Sequence, residues 1–376
     1  MTSTTHRPES TATTLYAALE LGSKEGWLTM SVTAAAKRQR VRVQPGNRDA
    51  IHRALTTAKA RFGVTADAVV RSCYEAGRDG FWPHRLLTRL GVTNLVVDSS
   101  SIEVPRRARR AKTDRLDGEK LLRLLLRHWG GERDMWQVVH VPSRDVEDAR
   151  HASRGLTTLQ AERTRYRNRI HSLLAWHGVR LRLDERLPER LAAAGDWAGA
   201  PLPPGVQARV LDTWRLLQAV EAERQRARRT ERQQVRTTAT PAVTPAQRLA
   251  RVRGIAARSA TVLADELFSR SLRNRREVGA LTGLVSAPYR SGTIAWDQGV
   301  APSGLPAVRR VAVAIAWAWL RYQPTSALTQ WYQQRFGGGG AVTRRIGIVA
   351  LARRVIIALW RYVETGAVPA GALLKA

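Results

Sequence analysis

The sequence predicts an α/β domain followed by a mainly helical remainder. Three observations predict it. Short β-rich runs alternate with helical stretches up to residue 129, a three–four apolar spacing starts near residue 146, and apolar helical runs dominate from residue 246. The elements follow in order. Leu15–Leu21 is a first strand, Gly22–Gly26 a turn, Trp27–Val32 a second strand and Val41–Val43 a third. Arg48–Phe62 reads as a helix, Ala68–Cys73 as a strand, Phe81–Leu90 as a helix and Asn94–Val97 as a strand. Thr113–Trp129 is a strong helix, with Leu116, Leu121, Leu124, Leu125 and Leu126 on or near one stripe. The expected divisions are a tail over 1–14, an α/β domain over 15–145, a basic helical hairpin over 146–238, a linker over 239–245 and a helical region over 246–376.

Bulk composition narrows the partners. The 376 residues carry a formal net charge of +31, from 62 Lys and Arg against 31 Asp and Glu. A field of that sign favours polyanions, nucleic acid above all. The cations are spread along the chain and not confined to one amphipathic helix, which argues against a membrane-surface protein. The longest apolar run, Val311–Leu320, is about half of a bilayer span. The single cysteine, Cys73, excludes an internal disulfide and a thiolate zinc site. Residues 1–14 are Thr/Ser-rich with no apolar signal segment, so a cytoplasmic, nucleoid-associated protein without a membrane partner is expected.

Four acids stand out. Glu20 lies near the end of the first strand, Glu75 just past the strand ending at Cys73, and Asp114 and Asp117 three apart on one helix face. Three strands, helix, strand, helix, strand, helix is the element order of a ribonuclease-H-like domain, whose acids would converge at these places. Carboxylates gathered inside a cationic protein are a means of holding Mg²⁺ against a phosphate backbone. Singly, each acid is equally well a solvated surface residue, and Asp114 and Asp117 could simply favour their helix N-terminus. The run Pro105–Arg115 brings Arg106, Arg107, Arg109, Arg110 and Lys112 to the start of that helix as candidate nucleic-acid contacts.

In the middle region Leu156, Leu159, Arg163, Tyr166, Ile170 and Leu173 form a coiled-coil-like seam, with Arg163 a flaw in it. Other faces carry Arg150, Arg154, Arg165, Arg167 and Arg169. Ala200–Gly205 breaks the helix, and Val210, Trp214 and Leu217 lead a second one to about Arg236. The hairpin is either an intramolecular spacer or an oligomerisation arm that grips nucleic-acid backbone, with Arg163, Arg165, Arg167 and Arg169 as contacts. Further on, Leu249–Leu263 has the shape of a helix–hairpin–helix around Gly254. Ser286 and Ser291 lie near turns, and helices are expected at Ala307–Tyr322, Ser326–Phe336 and Arg344–Thr365. Trp317, Trp319, Trp331 and Trp360 read as core residues.

Four segments carry a resemblance: SCYEAGRDGFW (Ser72–Trp82), RRARRAKTDRLD (Arg106–Asp117), SAPYRSG (Ser286–Gly292) and RRIGIVALARRVIIALWRY (Arg344–Tyr362). They resemble the DEDD insertion-sequence transposases, the family related to the pilin-gene invertase and called bridge-RNA-guided recombinases. The likeness runs from about Leu15 to Ala372. It implies a RuvC-like N-terminal domain, a coiled-coil middle and a mainly helical C-terminal transposase domain. By matching motifs the acidic quartet falls on Glu20, Glu75, Asp114 and Asp117, with Mg²⁺ as cofactor. The nucleophile falls on Ser291, with Ser286 as the alternative. The implied chemistry is DNA cleavage and rejoining through a 5′-phosphoserine link. The implied partners are donor and target DNA, a structured non-coding RNA, and further copies of the chain in a dimer or tetramer. Two departures accompany the match. Glu20 stands where the family name implies Asp, and Gly299–Arg310 lacks a Lys-Gly-Asn wording, leaving Arg309 and Arg310 as the nearby cations. The alternatives are a metal-dependent nuclease that uses water, and a non-catalytic nucleic-acid-binding derivative of a transposase.

Overall fold

The computed structural model describes residues 14–22, 24–102, 114–236, 244–291, 294–300 and 303–375. All of the expected tail but Thr14, which opens the first strand, and most of the expected linker lie outside them. The chain divides into two compact units, 1–141 and 142–376.

The first unit is built on a five-stranded mixed sheet in the order β3-β2-β1-β4-β5. Its strands are β1 (Thr14–Leu21), β2 (Gly26–Ser31), β3 (Gln39–Val43), β4 (Val69–Glu75) and β5 (Thr93–Val97). β1–β2 and β2–β3 pair antiparallel, and β1–β4 and β4–β5 parallel. Helices α1 (Arg48–Arg61) and α2 (Trp82–Arg89) pack on one face, and α3 (Asp114–Trp129) on the other. β1 lies mid-sheet, so both of its faces are covered. Leu15, Ala17 and Leu19 join the core under α1 and α2, while Tyr16 and Ala18 join Cys73, Leu122 and Leu125 under α3. The observed succession is the expected one, with boundaries shifted by a residue or two. Glu75 ends β4 and does not lie beyond it. Cys73 is fully buried, and that burial pushes its thiol far above the usual range, so it is a packing residue with no thiolate chemistry.

The second unit opens with two long paired helices, α4 (Arg144–Ala175) and α6 (Pro204–Arg236), joined through a segment that holds α5 (Leu187–Ala192). Ser143 caps α4 by accepting from the Val146 N–H. The apolar part of the seam lies at the far end. There Ile170 and Leu174 pack with Val179, Leu187, Leu191, Leu202, Val206 and Val210 in a small core. Midway along, Arg163 ion-pairs with Glu221 across the helices, and Glu221 also accepts from Arg224. The break in the apolar seam is therefore a cross-helix ion pair.

The rest of the unit contains α7 (Pro245–Ala250), α8 (Ala257–Leu263, continuing as a π-turn Ala264–Phe268), α9 (Arg275–Thr282), a hairpin of β6 (Ser286–Ser291) and β7 (Ile294–Val300), α10 (Pro306–Tyr322), α11 (Ala327–Tyr332) and α12 (Ala341–Thr365). Its core gathers Leu249, Leu263, Ile315, Trp319, Leu351, Val355 and Leu359 from four helices. Trp319 is buried, with its indole N–H donated to Ser326 Oγ, and Trp331 and Trp360 pack against the same core. Trp317, expected inside, is half exposed on the far side of α10. The β6–β7 hairpin lies in a stretch whose sequence reads as turns. Its Pro288 disguises the strand, and a register shift between Ser286 and Pro288 accommodates that residue. At Gly254 (φ +89°) the turn between α7 and α8 packs on Tyr322, and the Arg253 N–H is donated to Leu373 of the C-terminal segment. That donor is thus not available to a phosphate.

The hairpin base is joined to α8 and its π-turn by buried charge. Arg150 donates to the Asp265 carbonyl (2.7 Å) and Ser269 Oγ (3.0 Å), and Arg154 forks onto Glu266 (3.0 and 3.2 Å). Arg258 reaches Glu231 (3.1 Å), the Ser153 hydroxyl (2.8 Å) and carbonyl (2.6 Å), and Thr157 (2.8 Å). Asp265 contributes a buried carboxylate oxygen with no hydrogen-bond partner. Burial, with Glu266 and Glu231 nearby, raises its pKa from 3.8 to about 6, although Arg150 and Arg258 oppose the shift. Between about pH 3.8 and about pH 6 the folded form therefore holds a proton that the unfolded chain has released. Stability falls as pH rises from about 3.8 to about 6, and the full cost persists above that window. Asp265→Asn is expected to stabilise the protein by about 1–3 kcal/mol at pH 7.5 and to do nearly nothing at pH 3.5. Urea unfolding followed by circular dichroism at the two pH values checks this.

Candidate functional site

The carboxyl ends of the parallel strands β1 and β4 form one wall of an open cleft in the first unit. The register runs Leu19 beside Tyr74. Side chains alternate along a strand, and Ala18 and Cys73 face α3, so Glu20 and Glu75 fall on that same face of the sheet. Asp117 approaches from α3, where Gly118 sets the distance. A Cβ on Gly118 would lie 2.8 Å from Thr29 Oγ1 and 3.6 Å from Glu20 Oε2, so only glycine lets the first turn of the helix sit this close to β1 and β2. Glu20, Glu75 and Asp117 all line the cleft, together with Arg78 and Asp79.

Asp79 has no place in the expected quartet. It belongs to the loop after β4, which the Tyr74 hydroxyl ties back by donating to the Gly80 carbonyl (2.9 Å). The Ala76 N–H extends the strand pairing to the Val97 carbonyl (2.7 Å). The signal was present as Glu-x-x-x-Asp in a Gly-containing loop at a strand end, the place where open α/β sheets bind ligands.

The cleft's donors are carboxylate oxygens, with no His or Cys lining it, which fits a hard cation such as Mg²⁺. Among the described residues no group of three or more His, Cys, Asp or Glu is drawn together tightly enough to hold a metal ion as placed. Asp114 begins α3, but its side chain lies outside the described set. The basic run with Arg106, Arg107, Arg109, Arg110 and Lys112 lies outside the described residues altogether.

Ser291 belongs to the second unit. It closes β6, with its backbone paired to Ile294 across the hairpin, and its side chain lies outside the described set. Ser286, the alternative, opens the same strand and pairs with Val300. Of the candidate cations, Arg165 and Arg169 are exposed on α4, Arg167 is half-buried and Arg163 is held by Glu221. Arg309 donates to the carbonyls of Ser303 and Thr282, closing the corner at Gly283. Arg310 is exposed and lines a small cavity with Arg224, Arg228 and Arg258, which the sequence reading did not single out.

Comparison with known proteins now gives the class. Residues 246–331, which include β6, β7 and α10, match the family described as "Transposase IS116/IS110/IS902 family". Over 333 residues the chain is 41% identical to the Sinorhizobium fredii protein "Putative transposase y4rJ", covering 85% of this chain and 82% of that protein. These likenesses define a transposase, with DNA cleavage and rejoining as its general activity. Within that class the chain belongs to the IS116/IS110/IS902 family. Among the described residues no helix is long and apolar enough to cross a membrane.

The Gly118 contact gives a direct test of the cleft's construction. Gly118→Ala is expected to destabilise the first unit by about 1–3 kcal/mol by forcing α3 off the sheet. DNA cleavage should fall as well, because Asp117 moves with the helix. Gly155→Ala, on α4 where an added Cβ meets nothing within 4 Å, should leave cleavage rates unchanged.

Proposed function

We propose that this chain is a Mg²⁺-dependent recombinase that cuts and rejoins DNA through a phosphoserine link, under the direction of a structured RNA. The observation that carries the reading is the joint lining of one cleft by Glu20, Glu75 and Asp117, at the carboxyl ends of adjacent parallel strands and the start of α3, in a chain of transposase family. The strand order, with β1 central, supports a ribonuclease-H-like, RuvC-like assignment for the first unit. Glu20, Glu75 and Asp117 would hold the cation, with Asp114, three residues before Asp117, as the fourth carboxylate. When bound, Mg²⁺ supplies Lewis-acid stabilisation of charge on the phosphate.

Ser291 then acts as the nucleophile. Its Oγ bonds to the phosphorus of a DNA phosphodiester as the bond to the 3′ oxygen breaks. The serine proton passes to a base or to water, and the 3′ oxygen departs as a hydroxyl. The resulting 5′-phosphoserine ester keeps the bond energy, so a partner strand's 3′-hydroxyl can displace Ser291 without ATP. The carboxylates and Ser291 belong to different units of the chain, which leaves room for a dimer or tetramer that mates them between copies. Arg165, Arg169 and Arg310, exposed in the second unit, are suited to backbone contacts that carry no sequence information. Choice of sequence would come from base pairing with the RNA.

One observation favours a second reading. The three described carboxylates of the quartet all line a cleft of the first unit alone, so water in place of Ser291 could be the attacking group. Ser291→Ala separates the two. The serine route predicts that covalent protein–DNA adducts vanish on denaturing gels while duplex binding stays within about twofold. The water route predicts undiminished cutting with free 5′-phosphates. Glu20→Gln or Asp117→Asn is expected to lower cleavage about 10²–10³-fold, and chelation of divalent metal should abolish it on either route.

A further inference from the structure

The far end of the α4–α6 hairpin buries its aliphatic side chains but leaves two tryptophans out. Leu174, Leu187 and Leu202 are at most 1% exposed, whereas Trp176 and Trp197 are 80% and 81% exposed. Neither ring sits on a loose segment. Trp176 caps α4 in helical geometry, with its N–H donated to the Ser172 carbonyl (3.3 Å). The Trp197 N–H is donated to the His177 carbonyl (3.0 Å), one residue beyond Trp176. Gly178 makes that approach possible, since a Cβ there would lie 3.0 Å from Trp197 Cβ. The loop under Trp197 is braced by Asp196, whose carboxylate accepts from the N–H groups of Ala198 (2.8 Å) and Ala200 (3.0 Å). Two solvent-exposed indoles are thus carried by backbone segments that are hydrogen-bonded to each other. Arg180 and Arg182 are exposed on the same tip; Arg182 ion-pairs with Asp184 (3.3 Å) yet keeps 85% of its side chain open to solvent.

We infer that this tip is a stacking platform for unpaired bases of RNA, with Trp176 and Trp197 as the stacking surfaces and Arg180 and Arg182 as backbone contacts. The inference rests on the nucleic-acid reading above and adds the place where unpaired RNA is held. A second copy of the chain fits less well. A stable interface buries about 800 Å² on each partner around an apolar centre. Here the residues next to the rings are His177, Gly178, Asp196 and Ala198, and the tip's leucines are already spent on its own core. Isolated indole faces flanked by guanidinium groups match instead the pattern of single-strand binding, in which aromatic rings take the bases and cations follow the phosphates. RNA is favoured over DNA because unpaired loop bases are its ordinary recognition target, whereas duplex DNA keeps its bases stacked.

The test uses the full-length protein with three fluorescent 20-mers, namely U20, dT20 and an abasic strand with the same number of phosphates. Trp176→Leu with Trp197→Leu is expected to weaken U20 binding roughly 10-fold or more and to leave the abasic strand within twofold. The loss should persist as salt is raised, because stacking releases no counterions. Trp176→Phe with Trp197→Phe should recover most of the affinity. Equal losses on U20 and the abasic strand, or no loss on either, overturn the inference. So does tighter binding of dT20 than U20, or a drop in oligomer size by sedimentation velocity with U20 binding intact. If wild-type protein binds all three strands and duplex DNA but the tryptophans do not matter, the tip assignment alone fails. If it binds none of them, the broader nucleic-acid reading fails with it.

Discussion

The approach of α3 to the sheet at Gly118 is the contact on which the candidate site depends. Glu20 and Glu75 are placed by strand register alone, since parallel pairing of β1 with β4 sets them on one face at one edge. Asp117 comes from a separate element, and a helix ordinarily packs about 10 Å from a sheet. Removing one methyl group at Gly118, against Thr29 and Glu20, brings the helix N-terminus in close. Cys73 and Leu121 beneath it, with the Cys73 sulfur 3.8 Å from the Leu121 carbonyl, hold the same helix down one turn further along. The apolar packing under α3 therefore positions Asp117 relative to the strand carboxylates.

The second unit solves a different problem. A hairpin of two helices more than 30 residues long has one apolar stripe to share, and its middle is polar. Stiffness then has to come from its ends. At the tip a compact apolar core closes the turn, and at the base Arg150, Arg154 and Arg258 bind the hairpin to α8 and the π-turn through Glu266 and Glu231. Buried ion pairs add little net stability, but their geometry is demanding and they specify one arrangement. The unusual i→i+5 turn at Ala264–Phe268 is where that network is received, and Asp265 is the group left imperfectly served by it.

Much of this was legible in the sequence. The alternation of β1 through α3 located every strand and α-helix of the first unit to within a few residues, because strands and helices there are short, amphipathic and bounded by Gly or polar turns. The acids could be seen to lie at strand ends, but not Asp79, whose return to the cleft depends on the Tyr74–Gly80 hydrogen bond. The β6–β7 hairpin was hidden by Pro288 and two glycines. Trp317 looked like its neighbour Trp319 because a helix in so apolar a run has no obvious outer face, and only packing between α10 and α12 decides which indole turns inward. Arg163 read as a flaw because its partner, Glu221, is 58 residues away.

Charge shows best where composition stops being informative. The net +31 suggests a uniform nucleic-acid grip, yet the arginines fall into two populations. Arg150, Arg258 and Arg309 spend their guanidinium groups on carbonyls, hydroxyls and carboxylates of the chain's own backbone and side chains, and are structural. Arg165, Arg169, Arg180 and Arg310 are exposed, so they are the ones able to release counterions from a phosphate backbone. The dependence of binding on salt counts only phosphates actually neutralised. Its slope should therefore follow the second population. Cations of the first kind, when removed, act on stability and reach binding only through loss of the fold.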